Sequence, residues 1–473
     1  MSAASPVSAA PFRAVRLGSR ATKIEARSDG TMLLRATEPL AAYPSRLTEC
    51  LMHWARITPA HVFLAERDIA GQWRKLTYRD AFNQSCAIGQ ALLDRGLSIE
   101  RPLAILSDNS IDHALLALGA MLVGVPYAPI SPAYSLVSKD FTKLRFVLDL
   151  ITPGLVYARE PDRYRAALTA VARADREIIT GDSIGALTGV APNDDPNDDP
   201  NHAIHRMLVR LHGDTAGDAA GDTIVKFLFT SGSTGNPKAV ITTQRMITSN
   251  LQMIKQALPF LGDEPPVLVD WLPWNHVFGG SHNFGLVLMN GGTLYIDDGK
   301  PVPALIERTM RNLREIAPTA YFNVPKGFEG LVTYLAREPA LRAHFFSRLK
   351  MLFFAGAALP QHIWDALDRL ALDTIGERIM MITGLGATET APSVTFVNWP
   401  GAQAGIIGVP VAGQKLKLVP AGDKTEIRVR GPNVTPGYWR DPALTSARRS
   451  MTKAFIAWAM RSNSSTLPIR NRG

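Results

Sequence analysis

The 473-residue sequence has only two cysteines, Cys50 and Cys86, too far apart to form a CxxC pair. That scarcity argues against a disulfide framework and a thiolate zinc cluster, and it fits a reducing cytoplasm. Also missing is a run of about 18 uninterrupted apolar residues of the kind that spans a bilayer. The most apolar stretch, "ALLALGAMLVGVPYAPI", is broken by Gly and Pro and reads as a buried helix leading into a buried strand, so stable membrane insertion is not expected. The N-terminal "MSAASPVSAAPFRAVRLGSR" has no continuous apolar core followed by a cleavage site, which makes it a poor secretory signal. Acidic residues are absent from one region. Between Ser446 and Gly473 there are six basic residues (Arg448, Arg449, Lys453, Arg461, Arg470, Arg472) and no acid, and without those six charges the net charge falls from +9 to +3. No basic stripe with interleaved aromatics occurs elsewhere, so the charge does not describe a nucleic-acid footprint.

What is present suits a globular protein. Hydrophobic residues make up 46% and charged residues 20%, enough for a large buried core. At roughly 150 residues per domain, the length predicts two to four structural units. "VFLAERD" and "GQWRKLTYRD" read as a short strand pair, and "RPLAILSDNS", a helix from Ile111 to Val123 and "VPYAPI" read as strand, helix and strand. The alternation resumes after Asp222 with the strand "TIVKFLFT", a small-residue loop and a helix near Met246 to Leu258. This pattern predicts an α/β fold with mostly parallel sheets covered by helices. Between the two halves, "APNDDPNDDPNHAIH" and "HGDTAGDAAGD" cannot bury a core and read as a solvated loop insertion near residues 190–222.

Three apolar strands each deliver a small-residue loop: "FLFTSGSTGNPKAV", "LKMLFFAGAAL" and "RIMMITGLGATE". Strand ends of this kind are where open α/β sheets bind ligands. In the first loop, Gly232 and Gly235 let backbone N–H groups turn toward one anion, Ser231, Ser233 and Thr234 add hydroxyl donors, and Lys238 adds a positive charge. It is not a Walker A motif, because Ala239 follows Lys238 where that motif needs a hydroxyl for magnesium.

"TSGSTGNPKAV" resembles the phosphate loop of the adenylate-forming (AMP-binding) superfamily, which includes acyl-CoA synthetases. "GLGATET" resembles that superfamily's second signature, "FFAGAALP" its adenine-side loop, and "EIRVRGPNVTPGYWRDP" the segment closing its large domain. The stretches "VLVDWLPWNHVFGGSHNFGLVLMNGGTLYIDDGKP", "NLREIAPTAYFNVPKGFE" and "PYAPISPAYSLVS" look closest to the bacterial feruloyl-CoA synthetase branch. The resemblance implies an N-terminal extension with short strands (residues 1–40) and an adenylation domain over 41–440. That domain would contain stacked parallel and mixed sheets with helices, plus a distorted β-barrel subdomain.

The implied reaction activates a hydroxycinnamic acid with ATP as an acyl-adenylate, then forms a thioester with coenzyme A, releasing AMP and pyrophosphate. By resemblance, Thr230, Ser231, Gly232, Ser233, Thr234, Gly235 and Lys238 hold the departing phosphates. Thr388 contacts the α-phosphate and Glu389 binds Mg²⁺. Gly356, Ala357 and Ala358 leave room for adenine, with Leu385 making an apolar contact where the family commonly has an aromatic stack. His276 borders the acyl pocket, and Phe278, Gly279, Val324 and Gly384 are read as its walls. His282, six residues beyond His276, is poorly spaced to share a metal on one helix face, so zinc is not expected. The partners implied are an aromatic carboxylic acid, ATP and CoA; a homodimer is left open. Another aryl-acid or fatty-acid AMP ligase, or a non-catalytic ATP- and acid-binding remnant, are the alternatives.

After "GYWRDPALTSA" the sequence departs from the family. The expected aromatic and acidic segment with its Thr/Gly/Asp signature does not follow, and residues 446–473 form a divergent basic tail in place of the small C-terminal domain. On that basis catalysis by this chain is expected to be impaired. "MTKAFIAWAM" has apolar residues at helical spacing and reads as either an amphipathic segment or the product of an altered reading frame.

Overall fold

Strand and helix alternate through the first half of the protein, and the strands assemble around a mostly parallel sheet. The computed structural model describes residues 10–188, 221–230, 235–422, 424–450 and 456–460. Six strands lie in the order Lys238–Thr243, Ile224–Thr230, Tyr127–Pro129, Leu103–Leu106, Leu155–Ala158, Glu177–Thr180. All neighbours are parallel except the first pair. The inner strands are buried on both faces: Leu103, Ile105, Leu155 and Tyr157 join one apolar cluster, and Ala104, Leu106, Val156 and Ala158 another. Two-sided burial is the usual state of a parallel sheet whose crossover helices cover its faces.

Two further sheets continue the architecture. Val267–Asp270, Thr293–Ile296 and Val62–Arg67 run parallel, with Trp73–Thr77 antiparallel at the edge. Ala320–Asn323, Met351–Phe354 and Met380–Ile382 form a three-stranded parallel sheet. The anticipated strand pair at 62–77 and the strand, helix and strand series at 103–129 occur where the sequence places them.

A β-rich subdomain is built from residues far apart in the chain. Thr22–Ala26 and Met32–Ala36 form a hairpin that pairs with Lys415–Ala421, which in turn pairs with Lys424–Arg430. The short N-terminal strands are therefore part of a sheet completed some 380 residues later. Its inner face, with Leu416, Leu418, Ile427 and Val429, packs on Leu385 and Val394 beside the second signature loop.

Two sequence expectations need correction. The strand Ile224–Thr230 does not pass through its loop directly into a helix: Lys238–Thr243 returns antiparallel beside it, and the helix Gln244–Ala257 begins only afterwards. The β-branched run "AVITT" carried that signal. Helical spacing in "MTKAFIAWAM" also misleads, since Ile456–Met460 pairs antiparallel with residues 425–429 at the edge of the β-rich sheet. Five consecutive apolar residues do not distinguish a strand from a buried helix by period alone. The insertion expected near 190–222, up to residue 220, and most of the basic tail lie outside the described residues.

Candidate active site

Three strand ends drawn from two sheets open onto a single cavity. Ile224–Thr230 belongs to the six-stranded sheet, Met351–Phe354 and Met380–Ile382 to the three-stranded one. The loops that follow the latter two, together with Thr230 at the end of the first strand, line a cavity of ≈ 670 Å³, a size suited to small-molecule ligands.

One group of lining residues is polar. Thr230 and Lys238 are directly opposite in the antiparallel pair, so the phosphate-type loop is the tip of a hairpin whose two ends are pinned side by side. Both residues line the cavity. Ser231, Gly232, Ser233 and Thr234 lie outside the described residues. Gly235, on the exposed descending side, has φ +91° with open space around it, so its backbone conformation is what requires glycine. Thr388 and Glu389 lie on a short turn, Thr388–Thr390, and line the same cavity. The backbone N–H of Thr435 donates to the carbonyl of Glu389 at 2.8 Å, and the Tyr438 hydroxyl donates to Glu389 Oε1 at 2.9 Å. Tyr438 is delivered by a segment that bridges antiparallel to Val240 of the phosphate-loop hairpin. The "GPNVTPGYW" segment thus joins the phosphate loop to the acidic turn, a connection its sequence does not announce.

Gly356, Ala357 and Ala358 also line the cavity. A side chain at Gly356 would meet only Val324 Cγ1, at 3.7 Å, whereas its φ is +89°. Backbone conformation, rather than the space anticipated from the sequence, is what fixes glycine there. Gly384 is the opposite case: a Cβ would lie 2.0 Å from Thr395 O, so glycine permits the close approach of two backbone segments. Leu385 touches the cavity yet is only 9% exposed and packs into the β-rich subdomain core, which leaves it a narrow edge for any adenine contact.

Another group is aromatic. Phe278, Phe353 and Phe396 line it together with His276 and His282. Gly279 and Val324 are not among the lining residues. A Cβ at Gly279 would lie 2.3 Å from Leu272 O, so this glycine serves chain packing, while Val324 backs the Gly356 turn. Gly279 belongs to a π-helical turn, Phe278–Asn283, the kind of widened turn found often at functional sites. The buried Lys226 donates from Nζ to Gly280 O at 2.8 Å and steadies that turn; burial lowers its pKa to about 7.

His276 opens into the cavity, so solvent touches the ring, yet protein surrounds it on its other sides and desolvation lowers its pKa. Its Nδ1 accepts from the N–H of Phe278 at 3.3 Å, which leaves the proton of the neutral ring on Nε2. His282 is 1% exposed and packs against Phe278, Phe322, Phe353 and Phe396. Burial pushes its pKa down to about 4. In the sequence His282 stands out only as an unsuitable metal ligand; its inclusion in the aromatic wall depends on the π-helical turn, which the residue pattern does not reveal.

The buried ring yields a pH prediction. Its folded pKa lies below the ordinary histidine value, so the unfolded chain binds more protons through the window between about 6.5 and 4, and stability is lost as pH falls through it. Between pH 7 and 5 this one ring costs the fold about 2 kcal/mol. His282→Gln removes the contribution, so the variant should lose about 2 kcal/mol less than the parent over that interval. Urea unfolding at the two pH values measures the difference, and equal losses would refute the buried neutral ring.

A carboxylate beside a phosphate-type loop also fits a hard divalent cation. Among the described residues no cluster of three or more His, Cys, Asp or Glu could hold a metal, and Glu389 stands alone. Mg²⁺ commonly takes one or two carboxylates and completes its shell with water and substrate phosphates. Glu389, with one oxygen engaged by Tyr438 and its side chain part-exposed in the cavity wall, suits that arrangement.

Comparison with known proteins agrees with this architecture. The chain matches the AMP-binding enzyme family over residues 51–439. A feruloyl-CoA synthase of an Amycolatopsis species is 28% identical over 232 residues, covering 46% of this chain and 43% of the relative. An anthranilate–CoA ligase of Pseudomonas aeruginosa is 29% identical over 231 residues, covering 46% of this chain and 41% of the relative. Each alignment thus spans less than half the length of the curated relative. Among solved structures, VinN in complex with L-aspartate superposes with a TM-score of 0.67 at 22% identity, covering 88% of this chain and 95% of that one. ATP-bound MatB from Rhodopseudomonas palustris gives 0.64 at 20% identity, covering 87% and 75%. These two structures share the fold. With the family match extending through all three strand ends that meet at the cavity, the chain belongs to the AMP-binding enzyme family.

Proposed function

We propose that residues 41–440 form an adenylation domain that activates a hydroxycinnamic-type acid with ATP, as the first half of feruloyl-CoA synthetase-like ligation. The observation carrying this reading is the mixed character of this cavity's wall. Thr230, Lys238, Thr388 and Glu389 line it together with Phe278, Phe353 and Phe396; Glu389 is tied through Tyr438 to the phosphate-loop hairpin, and the three rings contact one another, so a triphosphate and a flat aromatic acid can meet within it. A carboxylate oxygen attacks the α-phosphorus, the bond from that phosphorus to the bridging oxygen breaks, and pyrophosphate leaves. The thiol of coenzyme A then displaces AMP to give the thioester.

The first step brings an anion to an anionic phosphate, so fixed positive charge and oriented donors are what the protein must supply. Lys238 would bind the departing phosphates, Thr388 would orient the α-phosphate, and His276 Nε2–H would be available to the acyl carboxylate. Glu389 would hold Mg²⁺, which when bound supplies charge neutralisation on the triphosphate. Exclusion of water by the aromatic wall would protect the mixed anhydride from hydrolysis. A cytoplasmic location accords with this chemistry and with two unpaired, buried cysteines.

Thermal unfolding tests the reading, since a ligand stabilises only the fold that binds it. ATP with Mg²⁺ should raise the unfolding temperature, and ferulate should raise it further while palmitate should not. Acid-dependent exchange of labelled pyrophosphate into ATP reports adenylation separately from thioester formation. Protection by palmitate alone would move the assignment to a fatty-acid ligase. An unfolding temperature unmoved by ATP would overturn it.

A further inference from the structure

The outer face of the β-rich sheet carries a row of like charges. Lys23 stands directly opposite Arg35, Arg35 opposite Lys415, and Lys415 opposite Arg430, so four basic residues cross four strands at one level. Their chain neighbours Leu34, Leu416 and Val429 belong to the apolar cluster on the inner face, and all four basic residues are exposed. Residues directly opposite on antiparallel strands have Cβ atoms about 5 Å apart, and like charges so placed destabilise the pairing. Two acids share this face, but each has its own partner: Glu25 lies 3.5 Å from Arg27 and Glu426 2.7 Å from Arg428. Among the described residues none of the four basic side chains of the row has an ion-pair partner. The N-terminal hairpin and the late strand pair thus bring together cations that sequence proximity does not.

Three members of the row, Lys23, Arg35 and Lys415, line a surface groove of ≈ 290 Å³ together with Glu25, Leu33, Leu34 and Leu416. We propose that this groove is an anion site, separate from the phosphate loop, that takes a compact polyphosphate chain. Adjacent strands lie about 4.8 Å apart, so the row offers a cation at each step along about 14 Å and linked phosphates can meet two or more of them at once. Arg35 and Arg430 can each hold phosphate oxygens in a fork, while the two lysines act as point charges. A concave wall favours a small ligand over a lipid surface. No aromatic ring lines the groove, so a nucleobase has nothing to stack on, and the phosphate chain is the part recognised. No residue lines both this groove and the active-site cavity. Leu416 of the groove packs in the same apolar cluster as Leu385 of the cavity wall, which places that cluster between the two sites.

Calorimetric titration of the protein with sodium tripolyphosphate, at low salt and without Mg²⁺, tests the site. The parent should bind it at least about tenfold more tightly than orthophosphate, because linked charges engage the row together, and the affinity should fall as salt is raised. Lys415→Glu places an acid at the centre of the row and should weaken tripolyphosphate binding by about tenfold or more. Lys238→Gln, in the phosphate loop, should leave that binding in place. The ligand-free Lys415→Glu protein should also unfold about one or two degrees higher than the parent at low salt, since two like-charge contacts become opposite-charge ones. Higher stability with weaker binding is a pair of effects that a purely structural lysine would not give. Should Lys415→Glu fail to fold, Arg430→Gln decides, with an expected loss of several-fold in affinity. Binding lost in Lys238→Gln and unchanged in Lys415→Glu would assign the anion to the phosphate loop and overturn the proposal. Tripolyphosphate bound no more tightly than orthophosphate overturns it too, as does attachment to phosphatidylserine vesicles with no response to tripolyphosphate, which would make this face a membrane contact.

Discussion

Replacing Glu389 by glutamine should lower acid-dependent pyrophosphate exchange by roughly a hundredfold or more. The substitution preserves shape and keeps an oxygen for the Tyr438 hydroxyl, which lies 2.9 Å from Oε1, so the fold should be unaffected. What it removes is the negative charge beside the phosphate-type loop. The loss should be accompanied by a higher Mg²⁺ requirement, because the remaining ligands would be water and phosphate oxygens. The shift of unfolding temperature produced by ATP with Mg²⁺ reads the same loss without turnover. It should be large in the parent and small in the variant. Tyr438→Phe offers a graded comparison: it keeps the charge and frees Oε1, so its effect should be several-fold at most. Unchanged exchange and unchanged ATP protection in Glu389→Gln would remove Glu389 from the site.

That prediction rests on residues whose relation is partly legible in the sequence itself. Three apolar strands ending in Ser, Gly, Ala and Thr residues are a local signal, and the ends of all three strands do converge on one cavity. Parallel strands that deliver loops at their C-terminal ends leave little freedom about where those loops go. Less legible are contacts that depend on distant segments or on irregular backbone. Nothing local to Met32–Ala36 says that its partner is Lys415–Leu418, because antiparallel edges pair by complementary faces rather than by sequence proximity. Tyr438 reaches Glu389 only because its segment bridges to the phosphate-loop hairpin. Phe353 and Phe354 both touch the cavity, yet within their strand they read as two ordinary core residues, and only the fold shows that Phe353 contacts His282, Phe278 and Phe396 while Phe354 packs on Trp364. Gly356, Gly279 and Gly384 show the remaining limit. The residue type is the same, yet one answers a backbone angle and the other two a close approach, and sequence alone cannot tell these apart.

The π-helical turn is where irregular backbone matters most, and it carries the second large expected effect. Gly280→Ala should destabilise the protein by about 3 kcal/mol or more. A Cβ at Gly280 would lie 2.2 Å from Trp274 O and 2.9 Å from both Trp274 C and Cα, and neither side can give way cheaply. Trp274 is held by a hydrogen bond from its N–H to Asn109 Oδ1 at 2.9 Å and by ring contacts with His113 and Phe284. Gly280 is held by its own N–H to His276 O at 2.9 Å and by Lys226 at its carbonyl. Relief therefore requires moving the turn that sets both cavity histidines. Two readouts should separate: ferulate protection should fall more than protection by ATP, because Phe278 and His282 belong to the turn itself, whereas Thr388 and Glu389 follow the strand Met380–Ile382. Gly185→Ala provides the control within the same molecule. No atom lies within 4 Å of a Cβ there, and Gly185 is itself exposed at the start of the short helix Gly185–Thr188, so alanine should be neutral or stabilising by up to about 1 kcal/mol. Matching denaturant midpoints for Gly280→Ala and the parent would show that the turn tolerates a side chain, and that glycine at this position is not what fixes the acyl end of the site.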